Sequence, residues 1–262
     1  FLAAAGMLPF LGTEALLGTK RLASRADRPP TGADLPPWVM GLQTRGGRFR
    51  FDPEGLWIEP GRTLRWLNMG DFHTATSYHP DNADLIGGDL PRRVPEGAES
   101  WHSGMLGLDV GSRFEHRFRV AGVDDYSCQP HYGFGMVGRV VVGEAGDGPG
   151  TRPLEGVPDA AHESMPSVER IMSPEGRAFE WASRLNGVLW ILAEGESAAD
   201  AAAAVREGVA ADAELARHLG AERSGRFGEA VAAFAEGAAA GMDYEEMIVR
   251  ADRAKDLLRS DD

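Results

Sequence analysis

One short stretch of the chain combines three side chains that could bind a soft metal ion. Cys128 is the only cysteine among 262 residues, His131 follows it by three positions, and Met136 follows His131 by five. The apolar run over residues 139–142 comes directly afterwards and predicts a strand. A thiolate, an imidazole and a thioether are ligands that copper prefers. One more imidazole would complete the ligand set that electron-transfer copper sites use, two His and one Cys with a weak axial Met.

The missing imidazole has two candidates near the end of an earlier strand. His73 lies in a loop just after a strand predicted at residues 63–68, and His79 follows six positions later. Pro80 interrupts the strand pattern beside His79, so His73 is the favoured ligand and His79 the alternative. The remaining histidines have no ligand-like spacing and are interpreted as surface or structural residues; they are His102, His116, His162 and His218.

The elements that would position these ligands are short strands. Over residues 48–143, apolar and polar residues alternate in several short runs that are separated by turns rich in Gly and Pro. Phe49 and Phe51 show this period of two, and so do Leu64 and Trp66. Because no helical period occurs in this range, it predicts an antiparallel β-sandwich that carries the ligands at one end.

The composition changes after Gly143, and the following part of the chain is predicted to be helical. Residues 144–156 are rich in Gly and Pro, which is typical of a linker. Residues 157–262 are rich in Ala and show helical spacing of apolar residues, which predicts a small α-helical bundle as a further domain. Ser173 and Pro174 form a good helix start. Further helices are predicted at residues 198–209, 212–219, 224–240 and 244–258.

The first 24 residues predict a membrane anchor helix or an export signal. Residues 1–17 are apolar except for Thr13 and Glu14, and three basic residues follow by position 25. This run is shorter than the roughly 20 residues that span a bilayer, but we favour a retained anchor over a cleaved signal. Both interpretations export the rest of the chain. Residues 25–47 contain several prolines and are interpreted as a linker.

The charge and the cysteine count argue against several classes of protein. The net charge of −13 disfavours a nucleic-acid partner, because phosphate binding needs a basic surface. A single cysteine excludes a disulfide within the chain. The sequence contains neither a Gly-rich phosphate loop nor a nucleophile elbow, so we do not expect an enzyme that acts on a small-molecule substrate.

Three motifs together indicate a known family. They are Pro60-Gly61-x-Thr63-x2-Trp66-x-Asn68, then Gly70-x2-His73, and finally Tyr126-x-Cys128-x-Pro130-His131-x4-Met136-Val137-Gly138. This pattern resembles the plastocyanin-type cupredoxins over residues 48–143, and it is most specific in the last motif. The resemblance implies a Greek-key β-sandwich with one type 1 copper ion and one-electron transfer between Cu(I) and Cu(II). On this resemblance the copper ligands are His73, Cys128, His131 and Met136.

Two residues depart from the pattern of that family. Ser127 stands where plastocyanins usually have a tyrosine that serves as a remote entry for electrons, so a second route is not expected here. Thr74 stands where an asparagine often braces the site. Alternation along the strand places Tyr126 and Cys128 on the inward face and Ser127 on the outward face.

Two functions fit these expectations. The favoured hypothesis is an exported, membrane-tethered type 1 copper protein, at the periplasmic or extracytoplasmic face, that transfers single electrons between redox proteins or with a membrane redox complex. The alternative is a structural or docking subunit of a respiratory or photosynthetic membrane complex that retains a cupredoxin domain, with or without copper. For the electron carrier, an apolar patch over His131 would meet the redox partner, and its expected residues are Met69, Phe72, Pro130 and Phe134. Residues 157–262 show no site.

Overall fold

Eight short strands form a β-sandwich in the part of the chain that the structure describes. The structure is a computed structural model, and it describes residues 35–45, 47–86, 91–107 and 109–259. The strands are β1 (Val39–Arg45), β2 (Arg48–Asp52), β3 (Gly55–Ile58), β4 (Thr63–Asn68), β5 (Thr76–Ser77), β6 (Arg113–Arg117), β7 (Gly122–Ser127) and β8 (Val137–Val142). One sheet has the order β2-β1-β4-β6, and the facing sheet has the order β3-β8-β7-β5.

The predicted β-sandwich is confirmed, but each of its sheets contains one parallel pair of strands, so the expected antiparallel pairing holds only in part. Strand β1 runs parallel to β4 and β3 runs parallel to β8, whereas the other neighbours are antiparallel. The path of the chain explains this. In sequence, β3 comes between β2 and β4, but it belongs to the second sheet, whereas β2 and β4 belong to the first. The chain crosses the sandwich and returns beside β1, and a parallel pair needs such a crossover connection.

Strand β1 lies inside residues 25–47, the range interpreted as a linker. Met40 and Leu42 pack in the core of the sandwich, and Val39 packs on the opposite side with residues of the helices. A strand that is buried on both faces reads as an apolar run without alternation. The period-two pattern that identified the other strands is therefore missing from this one.

Eight α-helices lie in the described residues, and seven of them follow the sandwich. They are α1 (Ala83–Ile86), α2 (Asp159–Ser164), α3 (Val168–Met172), α4 (Gly176–Ala193), α5 (Ala199–Ala211), α6 (Ala213–Leu219), α7 (Ala221–Ala239) and α8 (Tyr244–Asp256). The predicted helical region after the sandwich is confirmed. Helices α5 to α8 agree with the predicted ranges to within three residues at each end. The short helices α2 and α3 were not predicted.

Helix α4 packs directly against β1, and the helices and the sheet share a core. Ser183 Oγ accepts a hydrogen bond from the Val39 N–H at 2.8 Å and donates one to the Val39 carbonyl at 2.9 Å. Val39 and Leu67 of the sheet belong to the same apolar cluster as Leu185 of α4. The described residues form one compact unit as a result.

The outer face of the β7-β8 pair is covered by residues 149–172. Asp125 of β7 is fully buried and forms ion pairs with Arg93 and Arg139, each at 2.7 Å. Arg93 donates a further hydrogen bond to the Gly150 carbonyl at 2.8 Å, which attaches the covering segment to the sheet. Every residue of β7 is buried as a consequence, on the outward as well as the inward face.

The predicted N-terminal anchor helix, residues 1–24, lies outside the described residues. Residues 25–34 of the predicted linker lie outside them as well. Within the four described ranges, the helices are too short or too polar to cross a membrane.

Candidate metal centre

The loop between β7 and β8 closes tightly and carries three of the predicted ligands. The Cys128 N–H donates to the Met136 carbonyl at 3.0 Å, and the His131 N–H donates to the Cys128 carbonyl at 3.1 Å. A 3-10 turn at Tyr132–Phe134 follows, and Gly135 then adopts a φ of 82°, a conformation that favours glycine. These bonds fold the loop back on itself at one end of the sandwich.

Helix α2 lies beside this loop. A side chain at position 135 would collide with it, because a Cβ atom there would lie 2.6 Å from both the Ala160 carbonyl oxygen and Ser164 Oγ. Glycine is therefore needed at this position for space as well as for backbone conformation. The chain beyond the sandwich is in direct contact with the ligand loop.

His73 reaches the same end of the sandwich from the loop after β4. Its N–H donates to the Leu106 carbonyl at 3.1 Å, and the Leu106 N–H donates back to the His73 carbonyl at 2.8 Å. Asn68, the last residue of β4, donates from Nδ2 to the Asp71 carbonyl at 2.9 Å. The backbone on both sides of His73 is therefore held by hydrogen bonds. Residues 102–107, which supply Leu106, were not linked to the site by the sequence.

The side chains of His73, Cys128 and His131 converge. The two Nδ1 atoms lie 3.1 Å apart, and Cys128 Sγ lies 3.7 Å from His73 Nδ1 and 3.5 Å from His131 Nδ1. The point equidistant from the three atoms is about 2.0 Å from each, close to the roughly 2.0 to 2.3 Å that zinc–nitrogen and zinc–sulfur bonds span. In the described residues these three form the group of metal-binding side chains found within 4.8 Å of one another. They fit a transition-metal ion.

Met136 lies at the end of the same loop. Its side chain is fully buried and belongs to the apolar cluster that contains Cys128 and Tyr126. The backbone bond between Cys128 and Met136 fixes the separation of their Cα atoms across the loop. Met136 as a ligand stays a prediction from the sequence.

Thr74 connects the two loops that supply the ligands. Its N–H donates to Cys128 Sγ at 3.3 Å, and its Oγ1 accepts a hydrogen bond from the Gln129 N–H at 2.8 Å. The same hydroxyl lies 3.0 Å from Thr76 Oγ1, which in turn lies 2.8 Å from His102 Nδ1. The residue that departs from the asparagine of the family thus braces the site by another set of bonds.

The site disfavours charge on each of its titratable side chains. Burial, reinforced by the nearby His131, lowers the pKa of His73 to about 4, and burial also lowers the pKa of His131. Burial raises the pKa of the Cys128 thiol to about 11. Both imidazoles are therefore neutral near pH 7 and available as ligands, whereas an incoming cation has to displace the thiol proton.

His131 lies closest to the surface and is packed between aromatic rings. The Phe49 ring stacks on the imidazole with centroids 3.7 Å apart and planes 6° apart, and the Phe72 ring is tilted at 5.7 Å. Phe72 and Phe134 are exposed, and Pro130 is half-buried. The contact with Phe49 was not predicted, because Phe49 lies on β2, far from the ligand loop in sequence.

The alternative candidate ligand, His79, makes hydrogen bonds away from the converging side chains. Its Nδ1 accepts a hydrogen bond from the Asp81 N–H at 3.1 Å and caps a short 3-10 helix, and its Nε2 lies 2.9 Å from Arg92. It does not belong to the converging group. His116 is half-buried and stacks on Trp101, a residue of the sandwich core, at a centroid distance of 5.3 Å.

The part of the chain that forms the sandwich is similar to known copper-binding proteins. The family described as copper binding proteins, plastocyanin/azurin family, matches residues 39–143. A plastocyanin from Nostoc punctiforme is 31% identical over 108 residues, which cover 40% of this chain and 73% of the relative. A pseudoazurin from Methylorubrum extorquens is 30% identical over 118 residues, which cover 45% of this chain and 68% of the relative. The structure of a pseudoazurin from Sinorhizobium is similar at 23% identity, with 51% of this chain and 91% of that chain covered and a TM-score of 0.35.

Proposed function

Because the chain belongs to the plastocyanin/azurin family of copper-binding proteins, we propose that it carries single electrons between two redox partners. The observation that carries this proposal is the convergence of His73, Cys128 and His131. These residues would hold a type 1 copper ion, with Met136 as the weak fourth ligand. When bound, the ion supplies a one-electron Cu(II)/Cu(I) couple.

The residues around the ligands restrict their positions and shield them from solvent. Cys128 is fully buried, and its sulfur accepts a hydrogen bond from the Thr74 N–H. Ligands held by such surrounding bonds change position little when charge is gained or lost. We therefore assign a supporting role to Thr74 and to the backbone pairing of His73 with Leu106.

Electrons would enter and leave at the exposed side of His131. Phe72 is 44% exposed and Phe134 is 69% exposed, and with Pro130 they form an apolar rim beside the imidazole. A small apolar patch allows close approach without tight binding, as short-lived redox encounters need. One electron arrives from a reduced partner and one leaves to an oxidised partner at this rim.

Two methionines modify the docking patch expected from the sequence. Met105 is 55% exposed and precedes Leu106, the residue paired with His73, so it extends the rim. Met69 packs against the apolar cluster of the helices, and its sulfur accepts a hydrogen bond from Gln43 Nε2 at 3.1 Å. Our proposed patch contains Met105 in place of Met69.

The cellular setting of this proposal depends on the N-terminal sequence. The apolar composition of residues 1–17 supports export to the periplasmic or another extracytoplasmic face, with a membrane tether. A redox protein or a membrane redox complex at the same face would be the partner. The acidic net charge of −13 suits docking to a basic surface.

An absorption spectrum of the full chain after addition of Cu(II) tests the proposal. We expect uptake of one copper ion with an intense visible band, which ascorbate abolishes and ferricyanide restores. Cys128→Ser removes the thiolate and is expected to abolish the band. His79→Gln is the matched control, since His79 lies outside the converging group, and it should keep the band.

A chain that takes up no copper, or takes it up without the visible band, would contradict the proposal. That result would favour the alternative function, a structural subunit of a membrane complex. Cys128→Ala can then be compared with the parent protein for complex assembly, because a structural role does not require the thiolate.

A further inference from the structure

A cleft lies between strand β2 and the helices that follow the sandwich. Side chains alternate along a strand, so Phe49 faces the candidate metal centre while Arg48 and Arg50 face the other way. These two arginines line the cleft together with residues of α4 and α8. The cleft has a volume of about 350 Å³, which is at the small end of the range for small-molecule sites.

The lining of this cleft has an excess of positive charge. Its three carboxylate side chains are Asp52, Glu54 and Glu175. Its five cationic side chains are Arg48, Arg50, Arg170, Lys255 and Arg259. The excess of two positive charges contrasts with the net charge of −13 of the whole chain.

Ion pairs inside the cleft occupy three of the five cations. Lys255 and Arg259 contact Asp52 at 2.7 Å and 3.0 Å, and Arg170 contacts Glu175 at 2.8 Å. Arg170 also lies 3.9 Å from Glu54, so each of the three carboxylates in the cleft already contacts a cation other than Arg50.

Arg50 lacks a partner among the described residues. Its Nε is buried and makes no hydrogen bond, and although the charges of Asp52 and Glu54 raise its pKa, it forms no ion pair with either. Burial, followed by the positive charge of Arg259, lowers the pKa of Arg50 despite the opposing charges of Asp52 and Glu54, so a further anion would stabilise this guanidinium. Arg50 as a whole is half-buried, but an unsatisfied buried donor such as its Nε is costly and is a sign of a missing ligand.

The remaining wall of the cleft is apolar. Pro53, Phe179 and Leu258 contribute to it, and the Arg170 guanidinium lies over the Phe179 ring at 5.1 Å. We propose that the cleft binds a small organic anion in which a phosphate or carboxylate group is attached to an apolar body. The guanidinium of Arg50 would bind the anionic group through paired hydrogen bonds, the geometry for which arginine is suited. Arg48 would contribute at the exposed mouth.

Isothermal titration calorimetry on the full chain tests this inference, with phenyl phosphate, benzoate and inorganic phosphate as probes. We expect at least one aromatic anion to bind with one-to-one stoichiometry and a Kd of about 1 mM or below. The comparison of phenyl phosphate with benzoate identifies the preferred anionic group. Inorganic phosphate, which lacks an apolar body, should bind more weakly.

Variants of the lining arginines complete the test. Arg50→Gln should weaken binding by about tenfold or more, since a hydrogen bond to a charged group is lost. Arg48→Gln, whose parent side chain is exposed, should weaken it less and provides the test if Arg50→Gln fails to fold. Arg62→Gln is the control, because Arg62 pairs with Glu59 away from the cleft. The inference is overturned if neither aromatic anion shows binding at concentrations up to about 10 mM, roughly ten times the expected Kd. It is also overturned if inorganic phosphate binds as tightly as the aromatic anions, or if the Arg50 and Arg48 variants bind them as tightly as Arg62→Gln does.

Discussion

Thr74 Oγ1 accepts a hydrogen bond from the Gln129 N–H at 2.8 Å. This bond links the loop that carries His73 to the loop that carries Cys128. Thr74 follows His73 and Gln129 follows Cys128 in the chain. The Thr74 N–H also donates to Cys128 Sγ. One residue therefore fixes the relative position of the two ligand loops through its side chain and contacts the thiolate position through its backbone.

Replacing Thr74 by valine keeps the shape and the backbone N–H but removes the side-chain bonds. We expect the free energy of unfolding to fall by about 1–3 kcal/mol, because the Gln129 N–H and the buried Thr76 hydroxyl each lose a hydrogen-bond partner. Copper should also transfer faster to a chelator, which stopped-flow absorption measures. Thr151→Val is the control, since Thr151 is exposed and its hydroxyl donates only to the Gly148 carbonyl. Equal effects in both variants would show that Thr74 has no special role.

The stacking of Phe49 on His131 predicts a change in the titration of that imidazole. Burial lowers the pKa of His131, and Phe49→Ala removes the ring that covers one of its faces. In the metal-free protein the pKa of His131 should therefore move upward, and the imidazole should be protonated at a higher pH than in the parent. An NMR titration measures this. Phe134→Ala, which removes an exposed ring that contacts Phe49, should leave the value nearly unchanged. A downward shift in Phe49→Ala would contradict the prediction.

Asp52 at the end of β2 predicts how stability depends on pH. Burial alone would raise its pKa, but Lys255 and Arg259 hold the pKa of Asp52 well below its usual range. Asp52→Asn should lower the free energy of unfolding near pH 7 by about 3 kcal/mol, because Lys255 is left buried without this carboxylate. Since the folded-state pKa is depressed, the stabilisation is present above the unfolded pKa of about 4 and is lost as the pH falls below it.

Urea denaturation at several pH values checks this prediction. The difference between parent and Asp52→Asn should be largest near neutral pH and should shrink in acid. Asp109→Asn is the control, since Asp109 is exposed. A difference that stays constant or grows as the pH falls below about 4 would show that Asp52 is not the group responsible.

The buried Arg93 predicts the stability of the segment that covers β7 and β8. Besides its ion pair with Asp125, it donates to the carbonyls of Gly150, Arg152 and Pro153. Arg93→Met should lower the free energy of unfolding by about 3–5 kcal/mol and make residues 149–156 accessible to cleavage. Limited proteolysis with mass spectrometry locates the cuts. Arg119→Met is the control, because Arg119 is 62% exposed. Unchanged cleavage in Arg93→Met would mean that other contacts hold the segment.

The convergence of Cys128 with His131 could be predicted from the sequence because the spacing of these residues depends on local structure. Cys128, His131 and Met136 lie on one tight loop, so their separation in the chain already reflects their separation in space. His73 could also be identified from the sequence, because it follows a strand in which apolar and polar residues clearly alternate. The bracing by Thr74 could be seen only in the structure, because it depends on which loops meet.

Features that depend on what covers a strand could not be predicted from alternation. Ser127 was expected on the outward face of its strand, and the structure buries it fully, as it does every other residue of β7. Strand β1 was missed for a related reason, since α4 buries the side that would otherwise be polar. Leu106 pairs with His73 from a stretch with little periodicity. Local pattern shows which residues share a face but not what lies against it.

The covered face of β7 has a consequence for the order in which partners react. With Ser127 buried, the exposed apolar rim beside His131 is the surface available near the candidate centre in our proposal. An electron donor and an electron acceptor then have to occupy it in turn, and a ternary complex of the three proteins cannot form there. Steady-state rates measured at varied donor and acceptor concentrations should give parallel double-reciprocal lines, the signature of a ping-pong scheme. Intersecting lines would mean that electrons also cross the molecule by a second surface.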